Sequence, residues 1–186
     1  MSLEGWTRLM DRKYEHVHLA VVLESYFGSF KALTASIREV EKKIAEREKS
    51  DERADRLKTI PGVGRIASMT FLAAVDEVER FPSARKLVGY SGLSPTVRSS
   101  GERTEYGSIS REGRRELRAV WVQIAHLVAN DRRPEAQSLV RWYKRVAKRR
   151  GKKTATVALA RRLLEIAYHM LKEGSDYEPS RMARAA

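Results

Sequence analysis

Two serines and a glycine, Ser99, Ser100 and Gly101, stand among Arg98, Arg103 and Arg111. A serine hydroxyl attacks phosphorus only when its proton is removed or when the negative charge of the phosphorane is stabilised. The three arginines are the side chains that could neutralise such a phosphate. No histidine is near in sequence: His16, His18, His126 and His169 all fall in helical patterns, so a Ser-His-Asp triad is not expected. Taken alone, a serine in a basic loop is more often an ordinary polar residue than a nucleophile. Asp76, Glu77 and Glu79 form an acidic group, but neighbouring surface carboxylates are usually solvated, and no metal site is expected from them.

The charge balance names the kind of partner. Lys and Arg number 37 against 24 Asp and Glu, a formal net charge of +13, and the pI is near 10.2. Such a chain is drawn to polyanions with salt-dependent affinity, whether or not any base is read. The densest positive stretch is RWYKRVAKRRGKK, residues 141–153. Within it Arg141, Lys144, Arg145, Lys148 and Arg149 recur at spacings of three and four, so one helix face can be positive while Trp142 and Val146 face inward; Lys152 and Lys153 extend the patch. Trp142 and Tyr143 could stack on bases, although aromatics at helical spacing are more often core.

A second candidate contact lies at Ile60-Pro61-Gly62-Val63-Gly64. Pro61 cannot continue the preceding helix, and Gly62 and Gly64 permit a tight turn. The helix expected over 65–75, opening with Arg65, would begin with free backbone N–H groups unobstructed by side chains, an arrangement that holds phosphate. This is the pattern of a helix-hairpin-helix DNA-binding element; the alternative is a plain corner between two packed helices.

The elements that must position these groups read as helices. Residues 6–56 contain no proline and form one long helix or two. Leu19, Tyr26, Leu33 and Val40 alternate with Leu23, Phe30, Ile37 and Ile44 at heptad spacing, the seam of a coiled coil. The seam ends after Ile44 in a charged tail or linker. Residues 76–81 read as a polar connection, and Ser83 as the cap of a helix over 84–90. Residues 96–108 read as a loop, and Ser110 as the cap of the next helix, whose apolar face is Leu117, Val120, Trp121, Ile124 and Leu127 or Val128. Helices over 134–149 and 154–172 follow, and the residues after Gly174 read as a frayed tail. With no strand signals, the expected fold is all-α: a long N-terminal coiled-coil helix or helix pair over 1–56, a compact helical domain over 57–177 with the helix-hairpin-helix element, and a flexible tail over 178–186.

The absence of cysteine excludes disulfides and thiolate metal sites and fits a reducing compartment. No apolar run approaches the ~20 residues that cross a bilayer, and no signal peptide is evident. A soluble cytoplasmic protein, nucleoid-associated when bound to DNA, is expected.

Five segments taken together carry a resemblance: IPGVG with its apolar helix, RFPSARKLVGYSGLSP, RSSGERTEYGSISREGRRELRAV, WYKR, and GKKTATVALARRLLEIAYHMLKEG. In this order and spacing they resemble the C-terminal transposase domain of the one-ten family of bacterial insertion sequences, over about residues 57–177, and the helices before them resemble that family's coiled coil. The resemblance implies a DNA recombinase in which a serine attacks a phosphodiester and holds a phosphoserine intermediate. It places that serine at Ser100, with Ser99 as the adjacent alternative and Arg103 beside it, and matches Arg118 to a basic family position. It further implies a structured guide RNA, a homo-oligomer formed through the coiled coil, and a divalent metal, expected to be Mg2+, held by an N-terminal RuvC-like domain. No pattern for that domain precedes the coiled coil here, so no cofactor is expected in this stretch, which by itself is expected to bind nucleic acid without completing strand exchange. The competing reading is a non-catalytic helix-hairpin-helix module that only holds DNA or RNA.

Overall fold

The computed structural model describes residues 3–10, 17–100 and 103–180. In chain order the elements are α1 (Leu3–Met10), α2 (Val17–Glu48), α3 (Glu52–Lys58), α4 (Arg65–Val75), α5 (Ala84–Tyr90), β1 (Pro95–Ser100), β2 (Arg103–Ile109), α6 (Arg115–Ala129), α7 (Gln137–Arg150) and α8 (Lys152–Glu173). Short 3-10 turns occupy Val78–Arg80 and Pro134–Ala136. Among the described residues the fold is all-α apart from one small hairpin, and the chain divides into two compact units, Met1–Arg47 and Glu48–Ala186.

In the first unit Trp6 on α1 lies against Phe27 and Phe30 of α2, with ring centroids 6.1 and 5.9 Å apart. The heptad positions run along α2 as the spacing requires. Leu23, Phe30 and Ile44 are half-buried, whereas Leu19, Tyr26, Leu33, Ile37 and Val40 are 46–64% exposed. Asp51 separates α2 from α3: its backbone is extended and its carboxylate accepts from the N–H of Arg53, so it caps a new helix rather than extending the old one.

The second unit is built on α8. Its buried residues include Ala155, Leu159, Ala160, Leu163, Leu164, Ala167 and Tyr168, spaced so that more than one face is apolar and several helices can pack on it at once. α3, α5, α6 and α7 all pack against it. Phe71 of α4 meets Trp121 of α6 edge to face at 5.7 Å, and the hydroxyl of Tyr168 donates to the carbonyl of Phe81 at 2.9 Å.

Several expectations change. Residues 96–108 are not a loop: β1 and β2 form an antiparallel ribbon pairing Val97 with Tyr106, Arg98 with Glu105, Ser99 with Thr104 and Ser100 with Arg103, with a bulge between Pro95 and Val97. A two-stranded ribbon covers no sheet core and needs no apolar alternation; its signal was the β-branched and aromatic content, Thr96, Val97, Thr104, Tyr106 and Ile109. Ser110 does not cap α6, since Arg114 occupies the N-cap position. The 76–81 connection contains a 3-10 turn whose Val78 is buried. Nor does the chain fray at Gly174: Tyr177 is buried, its N–H donates to Thr59 Oγ1 at 2.9 Å and its hydroxyl to the Glu135 carbonyl at 3.4 Å. Of the tail expected over 178–186, residues 181–186 lie outside the described residues.

Candidate nucleic-acid interface and serine hairpin

The hairpin is rooted in the second unit by backbone hydrogen bonds beyond its strands. Ser110 N donates to Ser94 O at 2.8 Å, Arg111 N to Gly92 O at 3.2 Å, and Arg114 N to Tyr90 O at 2.9 Å. Leu93, fully buried, and Ser91, whose hydroxyl donates to Val88 O at 2.7 Å, anchor the segment leading into β1 in the core. Arg118 on α6 braces it: Nη1 donates to the carbonyls of Ser91 and Arg111 at 3.3 and 3.1 Å. Gly113 makes the close approach possible, because a Cβ there would stand 2.3 Å from Tyr90 O. Arg111 itself takes a positive φ of 59°, an uncommon conformation for a residue with a side chain.

An aromatic and guanidinium cluster lies beside the root. Arg114 Nε donates to the hydroxyl of Tyr90 at 2.8 Å, and that hydroxyl donates to Ala74 O at 3.1 Å. Arg114 holds the Tyr90 phenol below its ordinary pKa of 10.0, with Arg80 adding to the effect against burial. Arg80 lies over the rings of Phe81 and Tyr90 at 4.8 and 5.2 Å. Sequence reasoning did not pair Tyr90 with Arg114, since the two are 24 residues apart.

The glycine turn sits between α3 and α4 as expected. Gly62 has φ 82°, and a Cβ on it would press on Val128 Cγ2 and Ile124 Cγ2 at 3.0 and 3.3 Å; the turn is seated on α6. Gly64 is the N-cap of α4 and makes no side-chain cap bond, and the space where its Cβ would lie is open. Arg65, however, is in an ion pair with the buried carboxylate of Glu48, which Lys58 Nζ also meets at 2.7 Å. Lys58 and then Arg65 hold the Glu48 carboxyl below its usual 4.5 despite burial.

On α7 the side chains of Arg141, Lys144, Arg145, Lys148 and Arg149 are exposed, and Lys152 and Lys153 continue the exposed basic run into α8. None of these seven has a carboxylate within 4 Å among the described residues. Trp142 is half-buried with Arg162 over its ring at 5.0 Å, so that ring face is covered.

The predicted site residues therefore fall into groups. Arg111 and Arg118 meet at the hairpin root, the α7 cations form their own face, and Gly62, Gly64 and Arg65 belong to the α3–α4 turn. The side chains of Arg98, Ser99, Ser100 and Arg103 lie outside the described residues; the backbone register places the two serines at the last paired positions of β1. Among the described residues no group of three or more His, Asp or Glu side chains is placed to hold a metal ion.

Residues 54–141, from α3 into α7, match the model of the transposase IS116/IS110/IS902 family. The chain is 28% identical over 159 residues to the transposase for insertion sequence element IS1328 of Yersinia enterocolitica, covering 86% of this chain and 47% of that protein. It is 31% identical to the insertion element IS110 uncharacterized 43.6 kDa protein of Streptomyces coelicolor, over 88% of this chain and 40% of the relative. Against the pilin gene-inverting protein of Moraxella bovis it is 32% identical over 69% of this chain and 39% of that protein. Matches to the curated relatives thus span less than half of their lengths.

Proposed function

Because this chain carries a transposase domain of the IS116/IS110/IS902 family, we propose that it is the DNA-holding, serine-bearing part of an insertion-sequence recombinase that cuts and rejoins DNA through a phosphoserine intermediate. The observation that carries the proposal is the rooted hairpin: Ser99 and Ser100 close the paired part of β1, and the strand behind them is fixed to a packed core by the bonds at residues 90–94. A nucleophile must be held within a few tenths of an ångström of its line of attack, and a rooted ribbon serves that need better than a free loop.

In the proposed step the Ser100 hydroxyl attacks a DNA phosphorus. The Oγ–P bond forms as the bond from phosphorus to one deoxyribose oxygen breaks; the serine proton passes to a base or solvent, and the departing oxygen gains a proton. Attack by the hydroxyl of another strand reverses the step, releases serine and seals the new junction. Arg98 and Arg103 are the hairpin's own cations for the charge on the phosphorane. The exposed cations of α7 and the N-terminus of α4 hold the flanking phosphates, with the α3–α4 turn acting as a helix-hairpin-helix element. Strand exchange, the coiled-coil pairing of α2 with a second copy, a guide RNA and the divalent metal of a RuvC-like domain are proposed for the full-length protein, in the cytoplasm.

The test is a denaturant-resistant protein–DNA adduct on a nicked substrate, using the full-length parent with a divalent metal and RNA from its own element. Loss of the adduct in Ser100→Ala alone is the expected result, and loss in Ser99→Ala alone moves the nucleophile by one residue. Active wild-type protein that forms no adduct would leave a module that only holds nucleic acid.

A further inference from the structure

Beside the hairpin root, β2 and the first turns of α8 enclose a cleft of about 380 Å³, within the range of roughly 300–1,000 Å³ typical of small-ligand sites. Its composition is one-sided. Arg111 from the root, Lys153 from the first turn of α8 and Arg161 two turns further on supply three positive charges, and among the described residues no carboxylate lines it. Ile109, Val157 and Ala158 supply an apolar surface. Arg161 has its Nε buried with no hydrogen-bond partner among the described residues, which is costly for a charged donor unless an acceptor reaches it. No acidic residue stands in the first turn of α8, where Lys152 and Lys153 instead sit at the positive end of the helix, a disfavoured arrangement that an anion relieves.

Three cations around an apolar surface match a nucleotide, which carries its charge on phosphate and a flat apolar face on its base. Resting on the DNA-holding function above, we propose that this cleft seats one nucleotide of the bound strand, with Arg111, Lys153 and Arg161 on its phosphate and Ile109, Val157 and Ala158 against its sugar and base. The seat is at the root and the serines are at the far end of the strand. At about 3.3 Å per residue, Pro95 and Ser100 are roughly 17 Å apart, which corresponds to about five base steps of B-form DNA at 3.4 Å each. The nucleotide in the cleft is therefore not the one that reacts; it fixes where along the strand the hairpin stands.

The probe is thymidine 3′,5′-bisphosphate, titrated into the 186-residue chain while the amide resonances of Ile109, Val157 and Ala158 are followed. Inorganic phosphate serves as the charge control, and binding of a 30-base-pair duplex is measured in parallel. Saturable shifts at these amides are expected with the bisphosphate, at least tenfold weaker in Arg161→Gln, partly restored in Arg161→Lys, and abolished by the carboxylate of Ala158→Glu; far-UV circular dichroism checks that each variant is folded. Equal shifts from inorganic phosphate at equal concentration would reduce the cleft to a general anion patch and overturn the nucleotide. Normal duplex binding with no saturable shift at the cleft would overturn the seat alone, whereas a wild-type chain that binds no duplex at all would overturn the DNA-holding function beneath it.

Discussion

The hairpin root and the outer face of α7 are both rich in arginine, yet they use it in opposite ways. At the root, Arg118 donates to two backbone carbonyls and Arg114 to the Tyr90 hydroxyl; these guanidinium groups hold the protein to itself. On α7 the cations are exposed and have no carboxylate partner among the described residues. Under the proposed function the difference separates positioning from attraction: a base for the ribbon that carries the serines, and a diffuse charge suited to phosphate backbone. Arg65 belongs with the first kind, since it meets Glu48.

The root is broken most completely by Gly113→Ala. The new Cβ would fall 2.3 Å from Tyr90 O and 2.9 Å from Gly92 N at a φ of 145°, so backbone must move. A loss of about 3 kcal/mol or more is expected by urea denaturation. An unchanged midpoint would mean that the root is not held as described.

Glu48→Gln comes next. It removes the charge that Lys58 and Arg65 share, and a loss of about 2 kcal/mol at pH 7 is expected. The wild type carries the same dependence in its pH profile. The folded carboxyl lies below 4.5, so its contribution is complete above that value and disappears as pH falls through the lowered folded pKa. Glu48→Gln should flatten this part of the acid limb in a thermal-melt series from pH 7 to pH 2.

The smallest effect on stability belongs to α7. Lys148→Gln with Arg149→Gln should shift unfolding by no more than about 0.5 kcal/mol, while the slope of log K against log salt for duplex DNA becomes shallower by about 0.9 for each phosphate that these side chains neutralise. A slope that stays the same would remove these two side chains from the interface.

How far the sequence revealed this depends on the range of the interactions. Helices α4 and α5 fall at Arg65–Val75 and Ala84–Tyr90, where Gly64, the Pro82-Ser83 pair and apolar periodicity mark them locally. The exposed α7 face was legible for the same reason, because its cations recur at helical spacing. The fates of Arg65 and Arg118 were not legible: their partners lie 17 residues away at Glu48 and up to 27 away at Ser91, and composition assigns a guanidinium equally well to a phosphate or to a carbonyl. The ribbon was hidden by its own smallness, since strands with no sheet to cover carry no apolar alternation.

The separation of positioning from attraction is tested most directly by measuring duplex affinity and adduct yield at saturating DNA on the same full-length variants. Arg118→Gln should keep its affinity and lose adduct, whereas Lys148→Gln with Arg149→Gln should lose affinity and recover adduct once DNA is saturating. If both variants lose the same quantity, the root and the α7 face do not divide the work, and the proposed roles of Arg118 and the α7 cations are contradicted.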